Sequence, residues 1–128
     1  MPSFTDRELD LMNVLWDLGS GTVAQVREKL TDDLAYTTVL SLLRTLEAKG
    51  FLRHEGEGKA HRYFPTVARR DAGASGVKHL VDKVFQGSAE ALMSQLVSDK
   101  GLSREKLARM RALLDERLGE PDKHEDSN

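Results

Sequence analysis

The fold is decided by residues 36–64, which read YTTVLSLLRTLEAKGFLRHEGEGKAHRYF. The first half predicts a helix over residues 36–49, because its apolar residues recur at helical spacing and Gly50 follows where a left-handed residue ends a helix. The second half predicts strands at residues 51–55 and 60–64, with a glycine-containing turn between them. The predicted buried face of the helix consists of Val39, Leu42, Leu43 and Leu46.

Two more helices are predicted before this stretch. Capping boxes at residues 5–8 and 22–25 satisfy free backbone N–H groups and mark the two helix starts. Gly19-Ser20-Gly21 separates the helices. Helix, helix, helix and hairpin is the order of a winged helix-turn-helix domain, whose third helix lies in the major groove of DNA. We predict a mostly α fold with a small β-hairpin, the winged domain spanning residues 1–67.

The outer face of the third helix has an unusual composition for solvated surface. Serine and threonine are poorer helix formers than the Glu, Lys and Ala that usually occupy such a face. Short hydroxyl side chains let a helix enter a groove roughly 12 Å wide and reach phosphates and base edges. The predicted DNA contacts from this helix are Thr37, Thr38, Ser41, Arg44 and Thr45, and those from the wing, along the DNA backbone, are Arg53, Lys59, His61 and Arg62.

The remainder of the chain is predicted to be helical. Apolar stripes at residues 77–85, 92–97 and 107–118 lie in a predicted dimerisation region over residues 68–119, and residues 120–128 form a predicted disordered tail. Such short helices bury little alone, so self-association is expected, although packing back on the winged domain is the alternative. The predicted dimer contacts are Val77, Leu80, Val84, Leu92, Leu96, Leu107, Met110, Leu114 and Leu118.

Composition excludes several classes of function. The chain has no cysteine, so disulfides, thiolate metal sites and cysteine nucleophiles are absent. No apolar stretch approaches the roughly 20 residues of a membrane span, and the N-terminus lacks signal-peptide features. We therefore expect a cytoplasmic protein with no cofactor. The net charge of −2 is compatible with DNA binding but does not by itself indicate it.

The sequence argues against an enzyme and against a metal-binding protein. No nucleophile is paired with a base, and the histidines lack the i, i+4 spacing of metal ligands on one helix. His54 and His61 could face each other across the hairpin, which makes a zinc site only conceivable. The predictions are therefore no enzyme activity and no metal.

The chain resembles the penicillinase-repressor (BlaI/MecI) family from about Thr5 to Leu118. The resemblance rests on Ala35-Tyr36-Thr37-Thr38-Val39, on Leu46, on Lys49-Gly50-Phe51-Leu52 and on Gly58-Lys59-Ala60-His61-Arg62-Tyr63; the first helix fits through Glu8, Leu9, Met12, Val14, Leu15 and Trp16. It implies a homodimer with an N-terminal winged helix and C-terminal dimerisation helices. It also implies repression from palindromic operators of genes for β-lactam resistance or related stress responses.

Three departures from the family limit what the resemblance implies. Threonines replace the basic residues that some relatives have at the start of the third helix, so the operator sequence is not transferable. Gln95-Leu96 stands where staphylococcal relatives have an Asn-Phe bond that is cleaved when a membrane sensor ends repression. Induction by cleavage, and any upstream sensor or protease, is therefore left open. Sensing of copper through a cysteine pair is excluded, since the chain has no cysteine.

Two alternative functions remain open at this stage. A winged helix can bind protein partners instead of DNA, and the near-neutral N-terminal half is compatible with that. A repressor can also sense a small ligand between its domains, although no cluster of aromatic and polar residues marks a pocket. Steep weakening of binding by salt would indicate DNA contacts, because neutralised phosphates release counterions.

Overall fold

The computed structural model describes residues 4–121, and contacts divide the chain into one compact unit up to His79 and another from Leu80. The predicted winged domain ends at residue 67, whereas the first compact unit continues into a fourth helix. The helices are α1 Asp6–Leu18, α2 Val23–Lys29, α3 Tyr36–Ala48, α4 Arg69–Lys83, α5 Ala89–Val97 and α6 Arg104–Leu118; the strands are β1 Gly21–Thr22, β2 Leu52–Glu57 and β3 Ala60–Pro65.

The predicted helix starts and stops are confirmed. The Thr5 hydroxyl accepts from the Glu8 N–H at 3.1 Å, while the Thr5 N–H donates to the Glu8 carboxylate at 2.8 Å. Thr22 and Gln25 form the same reciprocal pair at the start of α2. Such a cap stabilises a helix by about 1 kcal/mol. Gly50 has a φ of 88°, the left-handed conformation predicted after α3.

The sheet has three strands, whereas the sequence predicts a hairpin of two. The antiparallel order is β1-β3-β2, with Gly21 opposite Tyr63 and Thr22 opposite Arg62. A strand of two residues is too short to show alternation, so β1 leaves no periodic signal. The hairpin strands also extend further than predicted, to Glu57 and Pro65, which leaves a two-residue turn at Gly58 and Lys59.

One apolar core holds α1, α2, α3 and the sheet together. Each fully buried leucine or valine contributes roughly 1.5–3 kcal/mol through loss of contact with water. Leu42 is predicted to belong to this core, but it is only half-buried and packs at its edge, because the fully buried face of α3 consists of Val39, Leu43 and Leu46. The buried apolar residues are Leu11, Met12, Leu15, Val23, Val26, Val39, Leu43, Leu46, Leu52 and Tyr63.

A polar clamp joins the end of the sheet to α1. The indole N–H of Trp16 donates to the carbonyl of Val67 at 2.9 Å. The guanidinium of Arg69, at the first residue of α4, donates to Asp17 at 2.8 Å and lies 5.4 Å from the centre of the Trp16 ring. The start of α4 is thereby fixed against α1, which explains why the first compact unit continues past the wing.

The C-terminal helices lack buried side chains. None of the described residues of α4, α5 or α6 is buried. The predicted serine cap at Ser103 is confirmed, and Ser88 caps α5 in the same way, since each hydroxyl accepts from an N–H three residues on. Apart from Glu120 and Pro121, the predicted disordered tail lies outside the described residues.

Candidate nucleic-acid interface

All five predicted contact residues of α3 are exposed: Thr37, Thr38, Ser41, Arg44 and Thr45. Only the hydroxyl of Thr45 is already occupied, because it donates to the carbonyl of Ser41 at 3.0 Å. At the start of the helix, Ala35 offers no side-chain cap, so the first N–H groups have no side-chain acceptor from that position. Free N–H groups and the helix dipole favour a phosphate at such an end.

Sequence reasoning missed Tyr36 as a member of this surface. Its side chain is 46% exposed at the first residue of α3, beside the threonine pair. An exposed tyrosine offers a flat ring and a hydroxyl donor to a ligand. The sequence pattern placed Tyr36 neither among the buried residues of α3 nor among its DNA contacts.

The strand register separates the four predicted wing contacts. Residues opposite each other in an antiparallel pair lie on the same face of the sheet, and successive residues alternate. Arg53 pairs with Phe64 and Glu55 with Arg62, so these four share one face. His54 pairs with Tyr63, and His61 lies two residues from Tyr63, so these three share the other. Lys59 is in the exposed turn.

Glutamates neutralise the two wing arginines. Arg53 donates to Glu55 at 2.8 Å, and its guanidinium lies 4.3 Å from the centre of the Phe64 ring. Arg62 forms two hydrogen bonds to Glu57, at 3.2 and 3.1 Å, and a third to the hydroxyl of Ser20. The predicted basic character of the wing is therefore weaker than its arginine count indicates.

The opposite face of the wing meets α3 through a histidine. The Nδ1 atom of His54 lies 2.6 Å from the Glu47 carboxylate of α3. The rings of His54 and His61 stack, with centroids 4.5 Å apart and planes 20° apart. The two histidines, which the sequence allowed to face each other across the hairpin, are therefore neighbours on one face of the sheet. Among residues 4–121, no group of three or more His, Asp or Glu side chains is arranged to hold a metal ion.

Tyr63 forms the buried floor of this cluster. Its ring centroid lies 5.7 Å from that of His54, and the residue is 1% exposed. Burial raises the pKa of the Tyr63 hydroxyl, and the negative charge of Glu47 raises it further, whereas the positive charge of Arg44 acts in the opposite direction. Tyr63 is therefore neutral at physiological pH, and the charges that act on it come from α3.

The predicted dimerisation residues are uncovered or only partly covered. Val77, Leu80, Val84, Leu96, Leu114 and Leu118 are 40–81% exposed. Leu92, Leu107 and Met110 are half-buried. Large apolar side chains near the end of α6 are thus exposed to solvent, with Leu113 at 66% and Leu118 at 81% exposure.

The described residues contain no membrane-spanning helix, and one groove lies beside the start of α3. Within residues 4–121, no helix has the length and apolar character needed to cross a bilayer. An open groove of about 370 Å³ lies between α2 and the start of α3, lined by Arg27, Glu28, Asp32 and Tyr36 among others. Small-molecule sites are usually enclosed and mainly apolar, whereas this groove is open and has a mixed polar and apolar lining.

Three helices, a three-stranded sheet and an exposed polar face on α3 define a winged helix-turn-helix regulator. A sequence profile described as Penicillinase repressor matches residues 4–116. The chain therefore belongs to the penicillinase-repressor family. It is a DNA-binding transcriptional repressor and not an enzyme, which confirms the family, fold class and absence of enzyme activity predicted from the sequence.

Individual relatives show the same similarity. Transcriptional regulator BlaI of Mycobacterium tuberculosis (strain ATCC 25618 / H37Rv) is 37% identical over 103 residues, covering 75% of this chain and 72% of that protein. Methicillin resistance regulatory protein MecI of Staphylococcus aureus (strain N315) is 23% identical over 112 residues, covering 86% and 91%. The solution structure of the DNA-binding domain of the repressor BlaI matches with a TM-score of 0.50 and 32% identity, covering 55% of this chain and 88% of that domain.

Proposed function

We propose that this repressor acts as a homodimer on a palindromic operator, with α3 in the major groove and the wing against the DNA backbone. The observation that carries the proposal is the exposed hydroxyl and arginine face of α3 beside the wing. Each face of this kind reads one half-site. Two copies related by a two-fold axis read two half-sites, and the operator then has the same symmetry.

The uncovered apolar side chains of α4, α5 and α6 support the homodimer. Monomers rarely expose extended apolar surface, and such surface marks protein contacts. Val84 is 62% exposed and Leu118 is 81% exposed, which leaves room for a second copy at both. An identical chain is the partner that the two-fold operator requires, so we assign residues 68–119 to dimerisation.

Arg44 and the threonine pair are the proposed readers of the operator. An arginine can donate two hydrogen bonds to one guanine, and each such contact discriminates by about 1–3 kcal/mol. Thr37 and Thr38 fix the helix through phosphates at its start. Among the proposed wing contacts, Lys59 offers a charge and His61 offers ring nitrogens to the DNA backbone. Arg53 and Arg62 contribute only if their ion pairs with Glu55 and Glu57 break.

The proposed targets are genes for β-lactam resistance or a related stress response, and the proposed location is the cytoplasm. MecI is named a methicillin resistance regulatory protein, which supports this target class. Gln95 and Leu96 are both exposed in α5. Induction by cleavage at that bond is not part of the proposal, because the Asn-Phe pair is absent.

A gel-shift titration against the upstream DNA of the gene tests this function. We expect a discrete complex that survives excess nonspecific competitor at moderate salt. Its affinity should fall steeply as salt rises, because several phosphates are neutralised. Diffuse binding that vanishes at moderate salt would contradict the proposal.

A protein-binding winged helix is the second candidate function. The observation in its favour is that Glu55 and Glu57 neutralise Arg53 and Arg62 on one face of the wing. A mainly apolar protein interface would show weak dependence on salt. Capture of a defined partner that persists at high salt, together with no sequence-specific DNA complex, would favour this candidate.

A further inference from the structure

We infer that His61 binds an operator phosphate in its protonated form, so that operator affinity rises as the pH falls through the neutral range. The inference rests on the proposed function, because it assigns a proton-linked phosphate contact to the same interface. Its geometric basis is the stack of His61 on His54, which in turn is bonded to Glu47 of α3.

His54 and His61 differ in their hydrogen-bond partners. The Nδ1 atom of His54 is held by the Glu47 carboxylate at 2.6 Å, so one side of this ring is already used. Among residues 4–121, no hydrogen bond or ion pair engages the ring of His61, and its residue is exposed. His61 is therefore the ring whose nitrogens are available to an incoming phosphate.

The wing holds the His61 ring in place before DNA arrives. Stacking at 4.5 Å on His54 restricts the ring, and the buried Tyr63 supports His54 from below at 5.7 Å. Glu47 anchors His54 to α3. A phosphate contact at His61 thus has a fixed position relative to the proposed recognition helix, and less side-chain entropy is lost on binding.

The titratable groups around His61 belong to both strands of the wing, the turn between them and α3. His54 of β2 stacks on His61, and Tyr63 of β3 lies on the same face of the sheet. Glu47, Arg44 and Tyr36 of α3 act electrostatically on Tyr63. Lys59 lies in the adjacent turn. The remaining charged wing residues are on the opposite face: Arg53, Glu55, Glu57 and Arg62.

A bound phosphate changes this balance toward the protonated ring. Without DNA, no phosphate faces the His61 ring, and the Glu47 carboxylate is bonded to His54. With DNA, a phosphate adds a negative charge, and a protonated imidazole donates from both nitrogens. The complex then binds more protons than the free components, so linkage requires tighter binding at lower pH. Imidazole changes charge between pH 5 and 8.

The test is fluorescence anisotropy of the full chain on its operator DNA at pH 6, 7 and 8 and constant ionic strength. For the unchanged protein we expect the dissociation constant to fall about tenfold from pH 8 to pH 6, as an average uptake of about half a proton over these two pH units predicts. His61→Gln should reduce this change to less than about twofold, because glutamine cannot be protonated. His61→Lys should bind at pH 8 about as tightly as the unchanged protein binds at pH 6.

His124→Gln is the matched control, because His124 lies outside both the winged domain and the residues assigned to dimerisation. It should keep the full pH dependence. Circular dichroism at each pH verifies that all variants are folded. The inference is overturned if the unchanged protein shows no pH dependence, if His61→Gln retains it, or if His61→Lys binds no better than His61→Gln at pH 8. Absence of specific binding at every pH would instead contradict the proposed function.

Discussion

The ammonium group of Lys49 lies 2.8 Å from the carboxylate of Glu8, which is 2% exposed. This pair joins the residue that caps the end of α3 to the first turn of α1. The same carboxylate accepts from the Thr5 N–H. One buried glutamate thus completes a helix cap and fixes the proposed recognition helix against the helix that underlies it.

Glu8→Gln should lower the free energy of unfolding by about 1–3 kcal/mol, because Lys49 loses a charged partner inside the protein. Burial raises the pKa of Glu8, but hydrogen bonds from Lys49 and Thr5 and the lysine charge together hold it below its usual value. The stabilisation is therefore present at neutral pH and lost as the pH falls below about 4.

Urea denaturation at pH 7 and at pH 3 measures this effect. The difference between Glu8→Gln and the unchanged protein should be large at pH 7 and small at pH 3. Glu28→Gln is the control, since Glu28 is exposed on α2 and should change stability by less than about 0.5 kcal/mol. An equal effect of both substitutions would refute the role of the buried pair.

Gly21→Ala should destabilise the protein by about 1–3 kcal/mol through overpacking. A Cβ at this position would lie 3.3 Å from a methyl of Val26 and 3.4 Å from one of Leu15. Gly56→Ala is the matched control in the wing, where a Cβ meets nothing within 4 Å. Thermal unfolding compares the two, and a stable Gly21→Ala variant would show that β1 can move away from the core.

Arg44→Ala and the double change Thr37→Ala with Thr38→Ala should each weaken operator binding by about tenfold or more, as the loss of one good base or phosphate contact predicts. The fold and the dimer should be unchanged, because all three side chains are exposed. Arg104→Ala, at the start of α6, is the control and should leave affinity unaltered. Full affinity in both test variants would remove the assignment of α3 as the recognition helix.

Leu114→Asp should convert the proposed dimer to a monomer, because a charge on the apolar face of α6 would be buried without a partner in the dimer. Operator affinity should then fall by at least about a hundredfold, since a single half-site is bound. Thr31→Asp, at an exposed position between α2 and α3, is the control for one added negative charge. Light scattering reports the mass, and a dimer that persists in Leu114→Asp would place the interface elsewhere.

Local signals in the sequence predicted most of the fold. The capping boxes at Thr5 and Thr22 and the glycine at position 50 act within a few residues, so their patterns are readable without tertiary structure. Strand β1 was missed because its pairing with β3 is formed across about 40 residues of chain and its two residues carry no periodicity.

The candidate site was predictable by residue type but not by arrangement. The exposed face of α3 follows from helical spacing, whereas the division of the wing follows from strand register. The register of β2 and β3 places Arg53 and His61 on opposite faces of the sheet and brings Glu57 to Arg62. The composition of the wing does not reveal this register. The bond between His54 and Glu47 likewise depends on how the wing folds against α3.

A footprint of the protein on its own upstream DNA, combined with the mass of the complex, tests the central claim most directly. The account predicts a two-fold symmetric protected site with half-sites about 34–36 Å apart, or a multiple of that spacing, bound by two chains. Protection of a single half-site by one chain, or no protected site at all, would contradict it.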